Sequence, residues 1–283
     1  MTQAAAQDSS SQRPAGVAGV FDRVADTYDS VGVPWFGPIA LGLVRALDPH
    51  PGERVLDIGC GKGAALLPLA QAVGETGHAT GIDLSPRMVA AATTAARAAA
   101  LRNVDVQVAD AGAPGLDEGG FDVVAASLVL FFLPDPAAAL AGWSRLLRPG
   151  GRLGISTFGP AAPIWEQVDD VFQPYLPQQL LDARTSGRRG PFGSDEGVES
   201  LFLSAGLTAV RTVTAGVDAV LRDLDHWYEF SWSHGQRALW ECVPEVEREA
   251  VRRKAYRVLE GARGDDGAIH LGQQVRYTLG VAG

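Results

Sequence analysis

The chain has 283 residues, 46% of them hydrophobic, long enough for one large domain or a core domain with a cap. Lys and Arg total 24 against 33 Asp and Glu, and the net charge of −9 argues against nucleic acid and anionic membrane surfaces as partners. Two cysteines, Cys60 and Cys242, are too few for a disulfide framework and fit a reducing, cytoplasmic setting. Residues 1–16 are rich in Gln, Ser and Ala and lack the basic and apolar regions of a signal peptide, so they read as a disordered tail. The strongly apolar run from Val123 to Leu133 is too short to span a bilayer.

From residue 54 to 158, short apolar strands alternate with helical segments. Strands are predicted at 54–58, 78–84, 104–109, 121–126 and 151–157, with helices at 63–73, 86–101 and 136–147 between them. This alternation predicts an α/β fold, a parallel sheet with helices on both faces. Ser85 can cap the second helix, Pro86 suits its first turn, and Asn103 lies just past its end. Pro149-Gly150-Gly151 stops a helix ending at Arg148. After Phe158 the pattern breaks into a partly helical insertion over 159–193. A helix at 194–205 and a strand at 207–220 resume it. Residues 223–261 read as two helices, the second starting at Pro244 with acids early and bases late, the order that complements the helix dipole. A last strand spans 268–281.

The densest chemistry lies in residues 54–63, Arg-Val-Leu-Asp-Ile-Gly-Cys-Gly-Lys-Gly. A strand running into alternate glycines makes a tight turn whose backbone lets a ligand approach closely. Gly59, Gly61 and Ala64 satisfy the weak dinucleotide fingerprint, with Asp83 about twenty residues further on. Asp57 argues against a pyrophosphate, since a carboxylate beside the loop repels phosphate and favours a ligand carrying an ammonium group. Asp83 ends the second strand, where an acid can accept both ribose hydroxyls. Asp110 ends the third, within reach of an adenine amino group. A nicotinamide-dependent oxidoreductase remains the outside alternative.

Val-Leu-Asp-Ile-Gly-Cys-Gly-Lys-Gly, Gly-Ile-Asp-Leu-Ser-Pro-Arg-Met, Val-Ala-Asp-Ala and Leu-Arg-Pro-Gly-Gly-Arg-Leu occur in this order. Over residues 50–158 the chain resembles the class I S-adenosylmethionine (SAM)-dependent methyltransferases. The resemblance implies SAM as cofactor and S-adenosylhomocysteine (SAH) as product. By position it places Gly59, Cys60 and Gly61 at the methionine end, Asp83 on the ribose, and Leu84 and Met88 beside the adenine, with Asp57 and Gly63 also counted among the cofactor-binding residues. Asp110 and Ala111 would meet the adenine amino edge, and Ser127 would face the methyl-transfer site. The segment Phe21–Asp29 resembles the N-terminal lid helix of small-molecule members, with Tyr28 over the methionine end. The implied fold is a Rossmann-like seven-stranded sheet of order 3-2-1-4-5-7-6, its last strand antiparallel, with an N-terminal lid and a helical cap insertion. The lid would take residues 17–50 and the core 51–158, completed by 194–222 and 265–283. Residues 159–193 and 223–264 would form the substrate cap.

The acceptor is less legible. Ser127-Leu128-Val129-Leu130-Phe131-Phe132 replaces the motif of nucleic-acid amino methyltransferases, and no catechol-type magnesium site is evident, so no metal is expected. Trp35, Phe36, Phe131, Phe132, Trp227 and Phe230 fall in the lid and cap and suit a small, largely apolar substrate. Displacement at a sulfonium needs a base only when the acceptor must lose a proton. His226 and His234 are candidates, eight residues apart on one predicted helix face. These features point to O-methylation of a specialised metabolite. Transfer to carbon, nitrogen or a carboxylate stays open, as does a SAM-binding cyclase or non-catalytic partner.

Overall fold

A computed structural model describes residues 19–178 and 190–283. The expected tail 1–16 lies outside the described residues, as does part of the insertion at 159–193. The sheet has seven strands: β1 (Arg54–Ile58), β2 (His78–Asp83), β3 (Val104–Val108), β4 (Phe121–Ser127), β5 (Leu147–Ala161), β6 (Leu207–Leu221) and β7 (Ile269–Ala282). Their order is β3-β2-β1-β4-β5-β7-β6. The first five pair in parallel, and β7 runs antiparallel to both β5 and β6.

The central strand β1 is buried on both faces, with Val55, Leu56 and Ile58 fully covered. This is why it reads as a near-continuous apolar run rather than an alternating one. Helices α2 (Phe36–Leu47), α3 (Leu66–Val73) and α4 (Pro86–Ala98) follow in the first half of the chain. Leu43 and Leu47 of α2 and Leu69 of α3 pack with Val55 and Val123 on one face. On the other face, Trp143 of α5 (Pro136–Leu146) and Phe202 of α7 (Asp195–Ser204) meet Leu56, Val124 and Ile155. The short α6 (Pro163–Asp170) joins the first of these clusters through Trp165 and Val168.

Helix starts follow local chemistry. Ser85 accepts from the Met88 N–H, Asp135 from Ala138 and Ser194 from Gly197. Each cap satisfies a backbone donor that the first helical turn leaves without a partner. Asn103 goes further than its predicted place past a helix end: its amide donates to the Ala70 and Gly74 carbonyls at the end of α3.

Three boundaries depart from expectation. The helix expected to reach Arg148 ends at Leu146, because Leu147 already pairs with Phe121 and the register shifts before Val123 meets Arg152. The two helices expected over 223–261 are three: α8 (Leu224–Trp232), α9 (Arg237–Cys242) and α10 (Glu245–Leu259). Ser233 closes α8 by donating to the Phe230 carbonyl, and Pro244 stands at the entrance of α10. At the amino end, helix α1 covers residues 19–24, and the chain then turns through Asp29 at φ +52°. Tyr28 therefore sits on a turn after the helix rather than within it.

Candidate active site

The glycine loop following β1 opens onto a cavity of about 250 Å3 at the carboxyl edge of the parallel strands. Asp57, Gly59, Cys60, Gly61, Gly63 and Ser127, all named from sequence, line it, and so does Tyr28. Gly59, Gly61 and Gly63 have φ of +66°, +51° and +97°, values that glycine adopts without the Cβ penalty. A Cβ on Gly59 would lie 2.5 Å from Val129, whereas one on Gly61 would meet nothing within 4 Å. The loop thus packs tightly behind Gly59 and stays open in front of Gly61.

The loop is tied to the end of β2 by two adjacent backbone donors. Cys60 N–H donates to the Ile82 carbonyl at 2.9 Å, and Gly61 N–H donates to Asp83 at 2.9 Å. The other Asp83 oxygen accepts from Ser85 N–H at 2.9 Å. Burial raises the Asp83 pKa, and these backbone donors work against that rise.

Asp57 is 1% exposed, and its Oδ2 has no hydrogen-bond partner. Burial first, then the neighbouring Asp83 charge, pushes its pKa up to about 8, against one opposing backbone donor, Leu66. Burial likewise holds the Cys60 thiol well above its ordinary value, so it is a packed side chain rather than a nucleophile.

The other expected cofactor residues stand outside the cavity walls. Met88 is buried with Val24 and Ala25 beneath the N-terminal segment, with Leu84 half-buried ahead of it. Asp110 accepts from Gly112 N–H, and the Ala111 carbonyl accepts from the Trp143 indole at 2.7 Å, fixing the loop after β3.

The N-terminal segment lies across this edge. Its backbone carbonyls accept from four side chains: Asp22 from Arg87, Arg23 from Arg237, Tyr28 from Lys62 and Val31 from His226. Asp22 also bonds Ser85, and Arg23 pairs with Glu241 of α9. Tyr28 stacks on Phe36 at 4.4 Å, and both face the cavity.

Of the expected substrate aromatics, Phe36 alone lines this cavity. Phe131 is half-buried against Phe132, Phe158 and Phe192, and Phe132 is exposed and meets Phe21 edge-on. Trp35, Phe230 and Trp227 are nearly or fully buried. Trp35 packs on Phe158, Trp165 and Phe230, while Trp227 meets Trp240 and Tyr256 within the helical layer. In this conformation Trp35 joins the helices to the sheet at Phe158, Trp227 packs helix on helix, and none of the three walls the cavity.

The two histidines separate. His226 is 3% exposed and uses both ring nitrogens: Nδ1 accepts from Arg222 N–H, and Nε2–H donates to the Val31 carbonyl at 2.7 Å. It is a pin between α8 and the N-terminal segment, with no lone pair left for a base. His234 donates Nδ1–H to the Phe230 carbonyl at 2.6 Å, stacks on Phe230 and meets Phe36 edge-on. Its Nε2 has no partner among the described residues, and burial lowers its pKa to about 4.

Several contributors escaped the sequence reading. Lys62 and Asp29 line the cavity. Leu128 does so at φ +58°, a strained value for a leucine, held where its N–H donates to Ser156. Ser156 also bonds Ser127 at 2.9 Å. Lys62 was visible inside the glycine decapeptide. Ser156 gave no local signal, since its role arises from pairing across strands. Among the described residues, no group of three His, Cys, Asp or Glu side chains stands together as a metal site, and no helix is long and apolar enough to cross a membrane.

This geometry fits a nucleoside with a cationic amino-acid tail: an unpartnered buried carboxylate oxygen, an open glycine backbone and a second acid at the end of β2. The sequence model of the family described as "Methyltransferase domain" matches residues 49–189. The chain is 35% identical over 273 residues to nocamycin O-methyltransferase of Saccharothrix syringae, covering 92% of this chain and 96% of that protein. It belongs to the class I SAM-dependent methyltransferases, and its cofactor is SAM. A second relative, aklanonic acid methyltransferase DauC of Streptomyces sp. strain C5, is 41% identical over 176 residues, 62% of this chain and 79% of that one. Among solved structures, the YcgJ protein of Bacillus subtilis shares the fold at TM-score 0.55 and 17% identity, over 86% of this chain and 97% of that chain. Phosphoethanolamine N-methyltransferase 2 of Haemonchus contortus, solved with SAH, does so at TM-score 0.53 and 16% identity, over 86% and 52%.

Proposed function

We propose that this enzyme methylates an oxygen of a small, largely apolar specialised metabolite. The observation that carries the reading is the near full-length likeness to an O-methyltransferase of nocamycin, joined to a cavity walled on one side by Tyr28 and Phe36. Stacked rings beside a cofactor loop suit a planar, hydrophobic acceptor.

Bound SAM would supply an activated methyl group on a sulfonium. The chain's own residues hold the cofactor and shape the transfer site. Asp57 takes the ammonium group, Asp83 the ribose hydroxyls, and Leu84, Met88, Asp110 and Ala111 the adenine side. Ser127, Tyr28 and Phe36 bound the transfer site, where exclusion of water and alignment of the reactants provide much of the rate. His234 presents Nε2 as an acceptor, because Nδ1 carries the proton given to Phe230. His234 does not line the cavity and reaches it only through Phe36. An imidazole with a pKa of about 4 is too weak to deprotonate an ordinary phenol, so the part proposed for it is to hold and orient an acceptor hydroxyl beside Phe36. The helices at 159–178 and 223–264 and the segment 19–50 act as cap and lid. The acceptor reaches the site as a small molecule, in a cytoplasmic enzyme.

The test is turnover with SAM and a panel of hydroxylated and carboxylated polycyclic acceptors, with fragmentation mass spectrometry locating the methyl. Methyl on oxygen supports the reading. Methyl on carbon or nitrogen overturns it, and SAH binding without transfer to any acceptor points to a non-catalytic protein of this fold.

A further inference from the structure

Asp57 is the feature that the transfer reaction itself does not explain. It is a carboxyl group inside the central strand, 1% exposed, on the wall of the cofactor cavity. One of its oxygens has no partner. The groups around it are mostly acidic or neutral. Asp83 at the end of β2 adds a like charge, and the Cys60 thiol stands beside it in the loop. Tyr28 and Asp29 line the same cavity from the N-terminal segment. The cation of the loop, Lys62, donates to the Tyr28 carbonyl rather than to Asp57. Two largely buried acids thus stand close together with no Lys or Arg among the described residues offsetting either, an arrangement in which one stays protonated.

We propose that cofactor binding by this enzyme is coupled to proton release: Asp57 gives its proton to solvent as the ammonium group of the cofactor docks against it. The inference rests on the reading of Asp57 as the ammonium partner. The carboxyl is neutral while no cation faces it and becomes a carboxylate once one does. The arriving positive charge replaces the proton, so the site never holds two unpaired acids. The raised pKa of Asp57, about 8, places this exchange in the neutral range.

The test is calorimetric titration of the full-length protein with SAH, between about pH 6 and pH 7, in buffers of different ionisation enthalpy. SAH carries the same ammonium group, which stays charged below its ordinary pKa of about 8. The expected result is release of close to one proton per SAH, with affinity falling about tenfold for each pH unit below 8. Asp57→Asn should bind SAH more weakly and release no proton. SAH binding with the same enthalpy in every buffer overturns the coupling while leaving the cofactor assignment intact. Proton release that persists in Asp57→Asn overturns the assignment of the proton to Asp57. Absence of SAH binding by the unmodified protein removes the cofactor reading itself. The buffer series on the unmodified protein decides the coupling even if the variant fails to fold.

Discussion

Arg23 and Glu241 form a two-pronged ion pair, with Nε and Nη2 at 3.0 and 2.7 Å from the two carboxylate oxygens, although 218 positions separate them. Arg237 completes the cluster on the same carboxylate at 2.8 Å. Both arginines hold the Glu241 carboxyl below its ordinary range despite partial burial. An exposed pair of this kind is worth ~1 kcal/mol or less. Arg23→Ala should therefore leave the melting temperature almost unchanged, yet speed amide exchange over residues 19–30 by about two- to fivefold. Unaltered exchange there would show that the pair does not hold the segment.

Asp83→Ala removes the acceptor of the Gly61 and Ser85 N–H groups together with the proposed ribose partner. Losing one charged hydrogen bond costs about 1.5–3 kcal/mol, so SAM affinity should fall more than about tenfold. Calorimetry reads this directly, and an unchanged Kd would move the ribose elsewhere.

Gly59→Ala sets a Cβ 2.5 Å from the Val129 side chain at a φ of +66°. Both effects push the loop off its path. The variant should lose at least about 1 kcal/mol of stability and bind SAH poorly. A well-folded variant with native affinity would show that the loop tolerates displacement.

The histidines should part company experimentally. His226→Ala leaves a backbone donor and a carbonyl without partners and should destabilise the fold by about 1–3 kcal/mol, read by denaturant unfolding. His234→Phe keeps the stacking and should lower kcat while SAH affinity stays near native. With its pKa at about 4, His234 is neutral from pH 5 to 9 and contributes no step to the rate profile there. A kcat unchanged in His234→Phe would remove it from the site.

Asp57 also links stability to pH. The unfolded chain ionises this group near its ordinary value of about 4, while the folded cofactor-free protein keeps the proton up to about pH 8. Between those limits the folded state binds the extra proton, so stability falls as pH rises and levels off above 8. Asp57→Asn has no such proton. Its melting temperature should match that of the unmodified protein near pH 4 and exceed it increasingly toward pH 8. Parallel melting curves for the two proteins across this range would contradict the buried neutral acid.

The glycine loop and the sheet were legible because their grammar is local: buried strands, capping residues and turn glycines each act within a few positions. Asp57 stood out for the same reason, as a charge inside an apolar strand. The helical layer was not legible in this way. Trp227 and Phe230 look like pocket aromatics until Trp240, Tyr256 and Trp35 fold against them, and nothing near residue 226 announces that its histidine will reach Val31. Leu128 holds its place at the cavity through Ser156 of β5, 28 positions away, a contact that no single segment encodes.

The N-terminal segment carries a consequence of its own. Arg87, Arg237, Lys62 and His226 grip its main-chain oxygens, so the information that sets its path is written elsewhere in the chain. A carbonyl looks the same whatever side chain follows it. Apart from Asp22, Arg23 and Asp26, whose side chains pair with Ser85, Glu241 and Arg87, the outer positions of this strip are free to drift, while changes at the distant donors loosen its path.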